Sequence, residues 1–278
     1  MEILNSIKEL SEFLTVSRNL QKPINFVPTM GSLHNGHLSL IQIANQHEGV
    51  SLASIFVNKA QFNDSNDYDK YPRDLKNDLD LLLSVNCDAV FCPSADEMNQ
   101  LPSYLSLDLS GFDVHMEGAH RPGHFNGVAT ILFKFFNLIK PDKAIFGIKD
   151  YQQCLLVEHI INHFNFNIEI VLAPIIREAS GLAMSSRNKL ISPEKIETSV
   201  ALYKSLLLVQ EKFGLSCDPE ELLNSIQDQF RHVDFEYLYF VEDGDMIPLK
   251  KIDSNKKIRA CICGSVSNIR LIDNMLLN

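Results

Sequence analysis

The chain has 278 residues, enough to bury a sizeable core and to form two domains rather than one. Its hydrophobic content of 45% and charged content of 22% are ordinary for a soluble globular protein. A formal net charge of −10 disfavours non-specific contact with nucleic acid, so any phosphate ligand needs a local basic pocket.

Met1-Glu2-Ile3-Leu4 lacks the basic region and long apolar run of a signal peptide. The apolar runs at 131–138 and 202–209 are interrupted by Lys134 and Lys204 and are too short to span a bilayer, so no membrane partner is expected. Six cysteines are scattered without C-x-x-C spacing, which suits a reduced, cytoplasmic setting.

Ile3, Ile7, Leu10 and Leu14 fit one face of an amphipathic helix that precedes a strand at 24–27. That strand ends at Pro28, Gly31 permits a sharp turn, and a helical pattern runs from Leu38 to about Gln46. A strand–turn–helix junction of this kind aims unpaired backbone N–H groups at whatever sits above the strand end. His34 and His37 stand at the helix start, where their ring N–H groups can donate to phosphate oxygens, and Gly36 leaves room between them for a ligand. On the residues alone, metal ligation or simple burial of the two histidines stays open. No H-E-x-x-H pattern or neighbouring carboxylate completes a zinc site, and no metal ligands are assigned. Neither G-x-x-x-x-G-K-[ST] nor G-x-G-x-x-G occurs.

A second buried strand is predicted at 51–57, followed by a polar, turn-rich loop over 58–72. Asn58, Gln61 and Phe62 lie just past the carboxyl end of that strand, where open α/β sheets bind ligands. A helix at 73–85 and a strand at 88–92 continue the alternation; 93–110 suggests one short helix and one short strand. The block 116–127 mixes glycine, histidine, arginine and glutamate before an apolar helix at 128–139, which Pro141 ends. A strand at 144–146 turns through Gly147-Ile148-Lys149-Asp150 into a helix at 151–164, repeating the geometry of the opening motif. Lys149 there is either a point charge for phosphate or a solvated loop lysine. A strand at 168–172 closes the parallel series.

The pattern changes beyond Pro174. Residues 175–188 are polar, and Ser192-Pro193-Glu194 supplies an N-cap for a helix to about 213. A second helix follows Asp218-Pro219. Alternating runs at 235–241 and 258–263 predict a small antiparallel sheet, with Cys261 and Cys263 sharing its core face. The fold class is therefore α/β: a Rossmann-like parallel-sheet N-terminal domain over 1–175, with a smaller α+β C-terminal domain over 176–278 covering the site.

H-N-G-H after a first strand resembles the H-x-G-H signature of the nucleotidylyltransferase superfamily. More specifically, P-T-M-G-S-L-H-N-G-H at 28–37, V-N-K-A-Q-F at 57–62, M-E-G-A-H-R-P-G-H-F-N-G-V at 116–128, F-G-I-K-D-Y-Q-Q at 146–153 and R-E-A-S-G-L-A-M-S-S-R-N at 177–188 resemble the pantothenate synthetase (pantoate–β-alanine ligase) family. R-L-I-D-N at 270–274 is similar to that family's ending. Lys59 and Ser180 depart from it, standing where proline and aspartate are usual.

The resemblance implies that ATP adenylates pantoate, and that β-alanine then displaces AMP. It implies catalytic roles for His34, His37, Lys149 and Arg187, with His37 the candidate proton donor. It places Met30, Gly31, Ser32, Leu33, His34, Asn35, Gly36 and His37 on ATP, with Gly147, Ile148, Lys149, Asp150, Ile176, Met184, Ser185, Ser186 and Arg187. Gln61 and Gln153 match the positions that bind pantoate and β-alanine. Asn58, Tyr71, Glu117 and Arg121 are supporting candidates, with a structural Glu117–Arg121 pair as the alternative. Mg²⁺ accompanies ATP, the other partners are small molecules, and a homodimer is expected. Residues 63–71 are expected to help cover the site. His47, His159, His163 and His232 read as ordinary helix or surface residues; for His115, His120 and His124, helix capping is an equal alternative to catalysis.

Overall fold

The computed structural model describes residues 1–63, 65–98, 107–109, 111–213, 218–230, 233–266 and 269–278. Six parallel strands form the larger sheet: β1 (Glu2–Leu4), β2 (Ile24–Thr29), β3 (Val50–Ile55), β4 (Ala89–Phe91), β5 (Lys143–Gly147) and β6 (Glu169–Ala173). Their spatial order is β1-β4-β3-β2-β5-β6. The strands carry apolar residues on both faces because helices cover both. Phe26 of β2 enters one core cluster and its neighbour Val27 the other.

The covering helices are α1 (Ile7–Asn19), α2 (Asn35–Ala44), α3 (Ser65–Lys70), α4 (Leu75–Ser84), α5 (Ala95–Met98), α6 (Met116–His120), α7 (His124–Ile139) and α8 (Tyr151–His163). Leu10, Leu14, Phe135 and Leu156 bring α1, α7 and α8 onto one face of the sheet. Ile41 and Leu82 bring α2 and α4 onto the other. The strand order reverses at β2, which has β3 on one side and β5 on the other. Such a reversal opens a crevice beyond the carboxyl ends of the two diverging strands. The turn after β2 and the turn after β5 therefore face each other.

After β6 the chain forms α9 (Ile196–Ser199), α10 (Ala201–Phe213) and α11 (Pro219–Gln229), then an antiparallel sheet of β7 (Asp234–Glu242), β8 (Ile258–Val266) and β9 (Ile269–Leu276). Leu206, Val209, Ile226, Phe240 and Ile262 share a core of their own. No helix among the described residues is long and apolar enough to cross a membrane.

Several elements differ from expectation. Ile3 lies in β1, paired with Val90 at the sheet edge, and only Ser6 caps the helix that follows. The loop expected over 58–72 contains a 3-10 turn, Lys59–Gln61, and α3. The helix expected from Ser192 is broken into a 3-10 turn, α9 and α10, and the Ser192 side chain makes no capping bond. Ser199 bonds back to the Ile196 carbonyl at 2.6 Å, a contact that competes with regular helix continuation. Asp218 does cap α11, accepting the Glu220 N–H at 2.8 Å beside Pro219. The short helix expected within 93–110 is α5; the strand expected there falls largely outside the described residues.

Candidate active site

Asp78, from α4, sets the loop after β2. It is 1% exposed, and its two oxygens accept the backbone N–H groups of Ser32 at 2.8 Å and Leu33 at 2.7 Å. Gly31 and Ser32 adopt left-handed φ values of 77° and 51°. A Cβ at Gly31 would stand 2.9 Å from the Asp78 carboxylate, so glycine meets both the torsion and the close approach. Lys189 adds a contact from above, donating to the Ser32 hydroxyl at 3.2 Å.

This loop delivers His34 to the N-cap of α2, where its Nδ1 accepts the Gly36 N–H at 3.1 Å. The neutral ring consequently carries its proton on Nε2 and is a donor there. The space beside Gly36 is not left open for a ligand, as the sequence suggested. The His34 imidazole occupies it, 2.9 Å from where a Cβ would be, with Met184 at 3.4 Å. His37, one turn later, packs its ring against His34 with centroids 4.0 Å apart. Among the described residues its buried Nδ1 finds no hydrogen-bond partner. Burial, reinforced by Lys149 and Lys189, pushes His34 down to about 4. Burial and the adjacent His34 hold His37 well below its ordinary 6.5. Both rings are neutral at pH 7, in keeping with their place at the positive end of a helix.

The second side of the crevice is the turn after β5. Lys149 leaves the 3-10 turn Ile148–Asp150, with the Asp150 carboxylate 3.8 Å from its amine. The small sheet supports this turn: Asn274 of β9 donates to the carbonyls of Ile148 at 2.9 Å and Lys149 at 3.0 Å. Arg259 fixes Asn274 by donating to its side-chain oxygen at 2.7 Å. Of the two adjacent glutamines, Gln152 is structural, donating to the carbonyls of Phe112 and His115, while Gln153 lines the cleft.

Gln61 closes the far end. Asn58 donates to the Gly127 carbonyl at 2.9 Å and to Gln61 Oε1 at 3.2 Å, and the Gln61 amide reaches Met30 Sδ at 2.8 Å. The 3-10 turn can sit on α7 only because residue 127 is glycine; a Cβ there would lie 2.3 Å from the Ala60 carbonyl oxygen. Gly127→Ala is therefore expected to destabilise the protein by about 1–3 kcal/mol through overpacking, despite alanine's better helix propensity. Urea unfolding measures the sign.

Arg187 enters from the segment between the sheets. Ser185 caps its 3-10 turn by accepting the Arg187 N–H at 3.3 Å, and the guanidinium pairs with Asp67 of α3 at 3.0 Å. Tyr71 and Ser186 meet through their hydroxyls at 3.3 Å, so Asp67 and Tyr71 both touch this side of the cleft. Met184 N–H bonds the Ile176 carbonyl at 2.9 Å, closing the hairpin that presents Met184, Ser185 and Ser186.

Together these residues line an open cleft of about 1450 Å³, counted out through its mouth into solvent. Met30, His34, Gly36, His37, Gln61, Gly147, Lys149, Asp150, Gln153, Ile176, Met184, Ser185, Ser186 and Arg187 line it. Gly31, Ser32, Leu33, Asn35 and Ile148 do not. Leu33 is core, Asn35 faces solvent, and Gly31 and Ser32 are held on the Asp78 side of the loop. Ile148 packs towards the small sheet. The Glu117–Arg121 pair, the alternative to a substrate role, does not form: Glu117 is gripped by Arg270. His115 heads α6 without a side-chain cap bond, and His120 faces Glu236 at 3.4 Å. Sequence reasoning singled out none of Asp78, Gly127 and Asn274, although Gly127 lies in the block at 116–128 and Asn274 in R-L-I-D-N.

His124, also neutral, is pushed down to about 4 by burial and by Arg121. Because His34, His37 and His124 are lowered in the folded state, the unfolded chain binds protons first as pH falls through 6.5. Their contribution is complete above 6.5 and is lost progressively towards 4. Unfolding free energy is thus expected to fall by a few kcal/mol between pH 7 and about 4.5, read from urea midpoints.

A family model described as Pantoate-beta-alanine ligase matches residues 2–276. Pantothenate synthetase of Cytophaga hutchinsonii is 39% identical over 279 residues, covering 99% of this chain and 98% of that protein. That of Aquifex aeolicus is 40% identical over 276 residues, covering 98% and 97%. Pantothenate synthetase from Thermus thermophilus superposes with a TM-score of 0.91 at 36% identity, covering 100% of this chain and 99% of that one. Pantoate-beta-alanine ligase from Francisella tularensis, solved in complex with beta-gamma ATP and beta-alanine, superposes at 0.82 with 35% identity, covering 100% and 98%. With the family model spanning almost every residue and the cleft built from the matching blocks, this chain belongs to the pantoate–β-alanine ligase family.

Proposed function

We propose that this protein joins pantoate to β-alanine at the expense of ATP, through a pantoyl adenylate, releasing pyrophosphate and AMP. The observation that carries the reading is one crevice where His34, His37, Gln61, Lys149, Gln153 and Arg187 converge from separate segments. The ligands named for the Francisella relative, beta-gamma ATP and beta-alanine, correspond to two of the three substrates the reading requires.

In the first step a pantoate carboxylate oxygen attacks the α-phosphorus of ATP, forming a C–O–P linkage as the bond to pyrophosphate breaks. Two anions must be brought together, so catalysis consists of positioning and charge neutralisation. Lys149 and Arg187 supply cationic donors, and His34 Nε2–H a neutral one. Gln61 and Gln153 hold the acid through amides, which orient a carboxylate without the strong ion pair that would blunt its nucleophilicity. In the second step the free amine of β-alanine attacks the acyl carbon. The C–N bond forms, the C–O bond breaks with its electron pair on AMP, and the ammonium proton is lost to solvent.

Mg²⁺ is assigned to the phosphates of ATP. Asp150, half-exposed, carries the one carboxylate among the described residues lining the cleft, and magnesium typically uses one or two carboxylates with substrate phosphates and water. When bound, the ion supplies further neutralisation of the phosphates. Residues 63–71, reaching Arg187 and Ser186, form the cover that excludes water from the adenylate. Proteolysis within that segment should slow when ATP and pantoate are bound. We place the domain division at 175/176, the enzyme in the cytoplasm, and the assembly as a homodimer, for which light scattering should give twice the chain mass.

Pyrophosphate exchange into ATP tests the function. Exchange should require pantoate and no β-alanine. A dependence on a phosphate-bearing acceptor would instead indicate a nucleotidylyltransferase, and no exchange would indicate a nucleotide sensor.

A further inference from the structure

Arg121 stands out as a cation whose expected carboxylate is taken. Glu117, four residues earlier on α6, is occupied by Arg270, whose two terminal nitrogens reach its carboxylate at 2.6 and 2.7 Å. The Tyr237 hydroxyl donates to the same carboxylate at 2.9 Å. Among the described residues, none places a carboxylate within ion-pair distance of Arg121. Its guanidinium instead donates to His124 Nε2 at 3.3 Å and to the Gln61 main-chain carbonyl at 3.4 Å. Those two acceptors are themselves joined, His124 Nδ1–H donating to the same carbonyl at 2.7 Å. Nδ1 carries the proton, so Nε2 offers a lone pair and turns the guanidinium without neutralising it. Arg121 is half-buried, and a charge held there beside Arg187 calls for an anion.

Its location identifies the anion. Arg121 borders both the main cleft and a smaller, partly open hollow between the two sheets, along with His124, Gln153, Lys149, Asp150 and Arg187. The triphosphate has Lys149 and Arg187. The reacting carboxylate is served by the amides of Gln61 and Gln153. What remains is the non-reacting carboxylate of β-alanine, which a strong ion pair can anchor at no chemical cost. Nitrogen and carboxylate carbon lie about 4 Å apart in β-alanine, and Arg121 touches the backbone of Gln61 itself. An amino acid anchored there brings its amine to the acyl group.

Resting on the ligase reading, we propose that Arg121 binds the carboxylate of β-alanine, selecting an amine with a terminal anion, and that His124 positions Arg121 for this. The test compares full-length wild type, R121Q and R121K. Each is assayed for pantoate-dependent pyrophosphate exchange without β-alanine, then for ligation of β-alanine against n-propylamine, which has similar reach and no carboxylate. In R121Q the KM for β-alanine should rise about 100-fold, and the preference for β-alanine over propylamine should fall by a similar factor. Exchange should fall less than about tenfold. R121K, retaining charge without the fork, should lie between; should R121Q fail to fold, the amine preference of R121K carries the test. Equal losses in exchange and ligation would move Arg121 onto ATP or pantoate and overturn the assignment. An unchanged preference for β-alanine would place its carboxylate elsewhere. No exchange in the wild type would instead remove the ligase reading, and this assignment with it.

Discussion

Lys149→Ala is expected to lower pantoate-dependent pyrophosphate exchange by about 10²–10³-fold while leaving the fold intact. The amine's resolved partner is the neighbouring Asp150 at 3.8 Å, an arrangement that contributes little to stability. The turn that carries it is held through its carbonyls by Asn274, and those bonds do not involve the lysine side chain. Truncation therefore removes a charge and leaves its platform in place. Urea midpoints should shift by no more than about 0.5 kcal/mol. The loss should fall on kcat as well as kcat/KM, because charge accumulates on the phosphates as the bond to pyrophosphate breaks. A loss smaller than tenfold would show that Lys149 contributes nothing specific to the transition state.

His34→Asn is expected to separate two functions that one ring performs. Asparagine is among the best N-cap residues and can still accept the Gly36 N–H, so helix α2 should keep its start. What disappears is the Nε2–H donor and the packing against His37 at 4.0 Å. Exchange should fall at least about 10²-fold with stability changed by less than about 1 kcal/mol. His34→Ala should lose activity and, in addition, about 1 kcal/mol of stability with the cap. If asparagine retained near-normal exchange, the histidine would be a cap alone. Because the folded ring is neutral down to about pH 4, the exchange rate of the free enzyme should show no acid limb at the ordinary 6.5.

The parallel sheet was legible because its strands are short apolar runs punctuated by Pro28, Gly147 and Pro174, with helical periodicity between them. Asn58, Gln61 and the turn at 147–150 stood out as strand ends, where such sheets carry ligands, whereas Gln153, Ile176 and residues 184–187 were named only through the family resemblance. What escaped reading depends on contacts between distant residues. Asp78 sits in a charged helix and looks like a solvated carboxylate; only the approach of the Ser32 and Leu33 amides makes it a clamp. Glu117 has Arg121 at the spacing of a helical pair, yet the bidentate fit of Arg270, 153 residues away, wins. Ile3 matched the helical spacing of Ile7 because three strand residues are too few to display a period. Gly36 read as space, and the ring that fills it belongs to a histidine whose rotamer no pattern encodes.

The adjacency of β2 and β5 also bears on how the enzyme is made. Ile24 and Asp142, which tie these strands at their starts, are 118 residues apart. Pairing of such low locality must wait for the intervening chain and repays its loop-closure entropy late, so it slows folding. During synthesis the histidines emerge long before the lysine they face. Nascent chains therefore hold half of the proposed site, and nucleotide affinity should arrive only late, once residues 176–187 and the C-terminal strand that holds the Lys149 turn have followed.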